Sequence, residues 1–573
     1  MLLFADLLVL LLVLFVTAIV LNGWGNLTWK FLRIPTSDSQ STLTIWLGFC
    51  ILIGTLEIVH LIVPIDNKIS LIVALVGIVG YFGGRPLTLD RVWTLIRQYP
   101  IHILISLLVL CGWCLRAMET PTMYDSGLYH FGAIRWLNEY PIVLGLGNVH
   151  WRLGLNQSYF GFLASLNIAP YWGKGYAAGG LFLMVLAAAT VVEFAMRRSR
   201  LWTVIFGGTI FSYLCLLSGS VANPLPDTAV AILEVIIFLC LFSALSSSGK
   251  CQHDQQRLFI TLAFLCFTAI TIKLSSIGFA FASFLLLMVI VHRQRSFEQK
   301  RLVVLKVMGL LMVFSLVHIG RGFLLSGAPL FPSPLGGVWS LPWSVELGVA
   351  QNESELIYAW AKQPGIQLAA ELRAGFGWVP EWWTAVPLSQ RILFMASTVV
   401  TVFCFCWWLY DKRPHRPTQF KLLLIPILSG LVFWFFTAPD IRFLGALGIL
   451  FAIWAAWQGV LTVGWDRIDP DLFDKARLGK VFTFLGVFVG ASLFIRWSAY
   501  PASAFSGWQS VPSANVQKYQ TRSGLDVFVP VSGGQCWESA LPCAVLLHDS
   551  LRRESIATEN RIFSTQHFMF TTR

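Results

Sequence analysis

Charged side chains are scarce in this 573-residue chain, and five short stretches place them at the ends of apolar runs. In the first, MYDSGLYHFGAIRWLNEYPIVLGLGNVHWRLGLNQSYF, Asp125 follows an apolar run by a few residues. Leu128, Phe131, Ile134 and Leu137 then recur at helical spacing, which predicts a helix over 127–139 lying in the membrane interface. A carboxylate held between a span and such a helix is placed to meet a lipid-borne substrate. The plainer reading is that Asp125 or Ser126 caps the helix. The second stretch, ANPLPDTAV, sets Pro226 and Asp227 at a helix start, where the dipole favours an aspartate. The third, TAITIKLSSIG, leaves Lys273 between two apolar runs with almost no loop. An ionisable group at that depth either snorkels to the interface or holds an anion such as phosphate. The fourth, HIGRGFLLSGAPLFPSPLGG, carries Arg321 at a membrane edge, suited to bidentate phosphate binding or to anchoring. The fifth, WFFTAPDIRFLGAL, sets Asp440 and Arg442 in one tight turn, paired with each other or turned to a ligand.

The elements that must position these groups are membrane spans. Hydrophobic residues make up 56% of the chain and charged residues 12%, against about 25% charged in a soluble domain. Mean hydropathy is +0.70. Such a chain cannot cover itself with polar groups, so lipid is the solvent for much of its surface. Apolar runs at 2–22, 43–64, 68–83, 100–118, 177–196, 201–219, 227–246, 258–273, 275–291, 302–320, 391–410, 419–438, 441–463 and 480–498 predict roughly fourteen transmembrane helices. The first lacks the basic flank of a cleavable signal and reads as a span. A shorter apolar stretch at 156–170 reads as interfacial.

Basic residues cluster only after odd-numbered spans, for example Lys30 and Arg33, Arg197 and Arg198, Arg293 and Arg295, and Lys412 and Arg413. By the positive-inside rule that side is cytoplasmic, and both termini lie on the other. The net charge of +12 is therefore a topology signal, which excludes a nucleic-acid footprint. Two long loops, 119–176 and 321–390, and the tail 499–573 fall on the non-cytoplasmic side together with Asp125, Asp227, Lys273, Arg321, Asp440 and Arg442. Loops on a rigid scaffold are where sites are built. Glu57 and His60 in the second span and Glu234 in the seventh stand apart from that face and read as paired or solvated structural groups. The 11 Cys show no zinc spacing; Cys536 and Cys543, in the polar tail, are either bridged or free. The expected fold is all-α: a polytopic helical bundle with interfacial helices in its outer loops and a small extramembrane C-terminal unit.

The acidic residue in the first large outer loop, the interface helix after it, the later outer-face cations and the second long outer loop resemble the C-type (GT-C) superfamily of membrane glycosyltransferases. The strings YDSGLYHFGAIRWLNEYP, GLGN, PLPD, IKLSS, RGFLLSGAPLFPSP and APDIRF resemble those of a family of bacterial multispanning membrane proteins, over most of the chain from about residue 100 onward. The resemblance implies accessory helices over 1–99, a catalytic core over 100–498 and a periplasmic tail over 499–573. The chain departs from the superfamily in its three spans before residue 100 and in lacking a paired-acid motif beside Asp125. Such enzymes move a sugar from a polyprenyl-phosphate donor to a glycan or lipid acceptor at the outer face of the inner membrane. The resemblance implies that Asp125 is the base or a metal ligand (Mg or Mn), with Asp227 as a second carboxylate. Lys273 and Arg321 would hold the lipid phosphate, Asp440 and Arg442 would shape the pocket, and Tyr124, Tyr129, His130 and Asn156 would recognise hydroxyls. The rival readings are a transporter, flippase or polymerase-type protein for lipid-linked glycans, and a non-catalytic polysaccharide assembly protein.

Overall fold

A backbone surrounded by lipid must satisfy its own N–H and C=O groups, and the long apolar runs do so as helices. The computed structural model describes residues 2–35, 42–84, 97, 100–168, 170–195, 202–246, 252–294, 301–333, 339–363, 375–410, 418–463, 507–545, 549–555 and 568–572. In chain order the helices are α1 (Leu2–Leu32), α2 (Thr42–His60), α3 (Asn67–Phe82), α4 (Pro100–Ala117), α5 (Phe131–Glu139), α6 (Tyr159–Ser165), α7 (Gly175–Ala195), α8 (Thr209–Leu217) and α9 (Pro226–Leu245). They continue as α10 (Gln252–Ile272), α11 (Ile277–Gln294), α12 (Arg301–Ser326), α13 (Leu347–Lys362), α14 (Val379–Ala385), α15 (Leu388–Tyr410), α16 (Leu424–Thr437) and α17 (Leu447–Val463). Single π-helical segments, Ser126–His130 and Thr203–Gly208, run straight into α5 and α8.

Among the described residues, nine helices are long and apolar enough to cross a membrane. Four shorter apolar helices, of 10–17 residues, stand where further spans were expected. The expected span at 480–498, and many of the basic residues that set topology, lie outside the described residues. The molecule is thus an all-α membrane bundle, and the strands described are confined to the tail.

At its centre is α9, in which every residue but Asp227 is buried. It packs against α7, α10, α11 and α17. Around it α1, α12 and α15 leave Phe4, Leu12, Leu305, Met312, Val399 and Phe405 exposed, an apolar girdle suited to lipid. Helix α2 packs against α6, α7, α10 and α12 and so belongs to the inner bundle. The contact of α1 with α3 depends on small residues: a Cβ on Gly23 would lie 1.6 Å from the Gly77 carbonyl oxygen.

The tail forms two antiparallel hairpin pairings, β1 (Val516–Gln520) with β2 (Asp526–Pro530) and β3 (Arg552–Ser555) with β4 (Phe568–Thr571). Cys536 and Cys543 are disulfide-bonded. The tail does not stand apart from the bundle. The Cys536 and Trp537 amides both donate to the Gly127 carbonyl, at 2.8 and 2.9 Å, and the Phe570 amide donates to the Leu144 carbonyl at 2.9 Å. The Trp508 amide donates to Asp6 Oδ2 at 3.0 Å, so the start of α1 lies beside the tail.

Two expected interfacial helices are buried instead. Leu128, Phe131 and Ile134 carry the spacing that predicted a lipid-facing stripe, yet they are buried, with the Phe131 ring 4.9 Å from Tyr176 and 5.8 Å from Trp537. All of α6 is buried, packed against α2 and α7. An apolar stripe has the same spacing whether lipid or protein covers it, and here protein does.

Candidate functional site

Asp125 lies at the mouth of the π-helical segment and does not cap it with its side chain. Its carboxylate is spent on two guanidinium groups: Oδ1 accepts from Arg152 Nη1 and Oδ2 from Arg442 Nη1, each at 2.9 Å. Neighbouring backbone fixes its place. Asn223 Oδ1, just before α9, accepts from the amides of Thr122 and Met123 at 3.0 Å and from Ser126 Oγ at 3.2 Å. From the tail, Gln535 Nε2 donates to the Tyr124 carbonyl at 2.9 Å, and the disulfide-closed loop holds Gly127.

Arg442 comes from the turn between α16 and α17. Asp440 Oδ1 accepts the Arg442 amide at 2.8 Å, so Asp440 shapes the turn, while the Arg442 guanidinium reaches Asp125. The same turn is anchored from below: Glu234 Oε2, in α9, accepts the Ala446 amide at 2.7 Å. Gly445 has φ +59°, and a Cβ there would lie 2.3 Å from that oxygen, so only glycine fits both the backbone and the carboxylate.

Asp227, the one unburied residue of α9, forms an ion pair with Lys273 at the end of α10. The Lys273 ammonium lies 4.3 Å from the centroid of the Phe443 ring, and the Arg442 guanidinium lies 4.8 Å from the same ring. Both cations thus lie against one aromatic ring, which attracts each of them. Beneath them, Tyr129 is buried, with its hydroxyl 3.4 Å from Gln157 Oε1. Burial, and after it the Asp125 charge, hold the Tyr129 phenol far above its ordinary range. Burial pushes the His130 imidazole down to about 3, so it is neutral at physiological pH, and its Nδ1 has no hydrogen-bond partner among the described residues. The second nitrogen face of Arg152 meets a further carboxylate: Nε lies 3.4 Å from Glu353 Oε1, in α13. Burial pushes the Glu353 carboxyl up to about 7, against the opposing pull of Arg152.

Arg321 stands elsewhere. It is buried in α12, where Nη1 contacts His60 Nδ1 at 2.8 Å and Nε contacts Asn156 Oδ1 at 3.3 Å. Nε is also 3.6 Å from Glu57 Oε1, which in turn meets His318 Nδ1 at 2.8 Å. His60 Nε2 lies 3.0 Å from the Tyr140 carbonyl, and Asn156, at φ +50°, donates to the His318 carbonyl at 2.8 Å. Glu57 and His60 are therefore paired, as expected, but not isolated. They belong to a network joining α2 to α12.

Two cavities join this network to the outer charges. The first is lined by Arg152 and Gln157 together with His60, Asn156, Arg321, Trp136 and Phe160. The second is lined by Lys273, Thr271, His318 and Phe331. Leu155 and Asn156 line both. The fold thus brings Asp125, Asp227, Lys273 and Arg442 to one end of the bundle, with Tyr129 and His130 beneath and Asp440 shaping the turn. Arg321 and Asn156 belong to the inner network. Tyr124 is exposed, and it meets the tail through its backbone carbonyl. Sequence reading missed Arg152, Glu353 and His318. No group of three or more His, Cys, Asp or Glu side chains suited to a metal occurs among the described residues. Both Asp125 oxygens already accept guanidinium N–H, so Mg or Mn would have to displace two arginines. The donor set does not fit a dication.

The chain belongs to the family described as a domain of unknown function (DUF8201), whose model matches residues 7–448. That stretch includes every candidate site residue and ends before the tail. No curated protein and no solved structure matches the chain.

Proposed function

We propose that this member of the family is a membrane glycosyltransferase, moving a sugar from a polyprenyl-phosphate donor to a glycan or lipid acceptor at the outer face of the bacterial inner membrane. The observation that carries the reading is the meeting of two carboxylate–cation pairs, Asp125–Arg442 and Asp227–Lys273, with both cations against the Phe443 ring at one end of an apolar bundle. Transfer breaks the bond between the sugar C1 and a phosphate oxygen, and negative charge grows on the departing lipid phosphate. Cations aimed at that oxygen stabilise the transition state more than the ground state. Arg442 is 47% exposed, so its guanidinium can turn from Asp125 to a phosphate without crossing a packed core. Lys273 is more enclosed, 17% exposed beside Asp227, and meets a ligand only from the cavity it lines. Asp125 keeps Arg152 in register, and the cavities beside Arg152 and Lys273 lie next to these cations.

The reading includes the fourteen-span topology, with both termini outside. The Asp6–Trp508 contact supports placing the chain's start and its tail on one side. The test is made in cells. Deleting the protein should cause a polyprenyl-phosphate sugar to accumulate in lipid extracts, measured by mass spectrometry. Wild type should clear it, and Asp125→Asn, though made at normal levels, should not. Clearance by Asp125→Asn would remove that residue from the mechanism.

A second reading, a transporter for lipid-linked glycans, draws support from the ionisable groups buried within α2 and α12, since transporters place such groups inside spans. The two readings separate in vesicles. A transporter moves a labelled lipid-linked sugar across the bilayer and leaves the sugar on its carrier.

A further inference from the structure

We infer that His318, held by Glu57, takes the proton from the acceptor hydroxyl that attacks the donor sugar, and that this hydroxyl binds in the cavity shared by His318 and Lys273. The inference rests on the transferase reading and assigns the base within it. Asp125 is poorly placed for that task, because Oδ1 accepts from Arg152 and the residue does not line that cavity.

Of the histidines described in this region, only His318 lines the cavity that Lys273 also lines. His60 Nδ1 faces an Arg321 N–H donor and so must accept, which leaves Nε2–H to donate to the Tyr140 carbonyl. His130 is buried against Tyr129 and Phe160, with ring centroids 4.3 and 5.2 Å away. His150 Nδ1 accepts the Arg152 amide at 3.1 Å.

His318 differs. Its Nδ1 lies 2.8 Å from Glu57 Oε1, the geometry of an imidazole N–H donating to a carboxylate. Asn156 Nδ2 is 3.3 Å from the same nitrogen, but its shorter bond, 2.8 Å, goes to the His318 carbonyl. With the proton on Nδ1, the lone pair is on Nε2, and His318 lines the cavity that Lys273 also lines. A carboxylate behind an imidazole fixes its tautomer and orientation and stabilises the imidazolium that forms. The charged and titratable groups around it are Glu57 and His60 from α2, Arg321 from its own helix and Lys273 across the cavity. Of these only Glu57 is negative, and its Oε2 has no hydrogen-bond partner among the described residues.

The step balances as follows. The hydroxyl proton passes to Nε2, and the acceptor oxygen forms a bond to the sugar C1. The bond from C1 to the phosphate oxygen breaks, and the lipid phosphate leaves with that electron pair, facing Lys273. The imidazolium stays against Glu57 until it returns the proton to solvent.

The test uses the full chain in liposomes with radiolabelled undecaprenyl-phosphate glucose, galactose and mannose, and membranes of cells lacking the protein as the acceptor source. His318→Ala should lower transfer at least hundredfold while leaving donor binding, read by native mass spectrometry, unchanged. Imidazole in the buffer should restore transfer at least tenfold, which a purely structural role would not allow. Should His318→Ala fail to fold, Glu57→Gln decides: the acidic limb of its pH–rate profile should move to lower pH, because the imidazolium has lost its counter-ion. Transfer by His318→Ala within threefold of wild type overturns the assignment and leaves the transferase reading standing. Loss without imidazole rescue, or an unmoved acidic limb in Glu57→Gln, does the same. A wild-type protein that binds donor from none of the three pools and transfers nothing overturns both.

Discussion

The outer charge cluster and the inner network use the same chemistry, carboxylate against cation, under opposite conditions. Around Asp125 the cations are partly open: Arg442 is 47% exposed and Arg152 28%. Around Glu57 nothing exceeds 11%. An ion pair near solvent is worth little to stability and is cheap to exchange for a ligand. A buried pair is held by the cost of leaving either partner alone, so it is rigid and cannot readily trade partners. On the proposed function, the outer pairs hold the substrate's charge and the inner network holds His318 in a fixed geometry.

Arg321→Ala gives the largest effect expected from that contrast. It leaves Glu57 buried without its guanidinium and should cost about 3–5 kcal/mol, read as a large fall in thermal midpoint in detergent. A shift as small as that of a surface substitution would break the distinction. Asp125→Asn should leave the midpoint within a few degrees yet reduce transfer at least about a hundredfold, roughly 2.7 kcal/mol of barrier. Glu353 links the two regimes, buried but beside Arg152. Its carboxyl, raised to about 7 from an ordinary 4.5, favours the neutral form in the folded protein. Its contribution is therefore full below about pH 4.5, declines as pH rises towards 7, and is flat above, a difference on the order of 3 kcal/mol. Thermal midpoints taken from pH 4 to 8 should lose that slope in Glu353→Gln. The smallest effect is local: Cys536→Ser with Cys543→Ser should speed hydrogen exchange at residues 124–131 while α9 stays protected. Unchanged exchange there would mean that the tail does not hold Asp125.

Much of this was legible in the sequence, and the remainder had identifiable causes. Apolar runs of span length gave the helices, and the alternation of basic loops gathered Asp125, Asp227, Lys273 and Arg442 on one face, where the fold brings them together. Asp440 and Arg442 were read as a tight turn, but the direction of the guanidinium was not, since a local pair and a distant one share the same three residues. Arg152 had no signal of its own: one cation in a long irregular loop acquires meaning only once chain folding sets it against Asp125. The inner network did leave a trace. Glu57 and His60 in α2, and His318 and Arg321 in α12, are each spaced i, i+3 in otherwise apolar helices, which puts each pair on one helix face. Two such faces in one bundle are a reason to pair them. The burial of α5 and α6 was illegible for a different reason, because periodicity records an apolar neighbour without saying whether it is lipid or the chain's own tail.

The central claim is that the outer cluster holds a lipid-linked phosphate, and native mass spectrometry of the full chain tests it most directly. Wild-type protein drawn gently from membranes should carry a polyprenyl phosphate, with or without a hexose, and Lys273→Ala combined with Arg442→Ala should lose it while keeping ordinary phospholipids. A wild-type protein carrying phospholipids alone, or a double variant that retains the polyprenyl phosphate, would contradict the account.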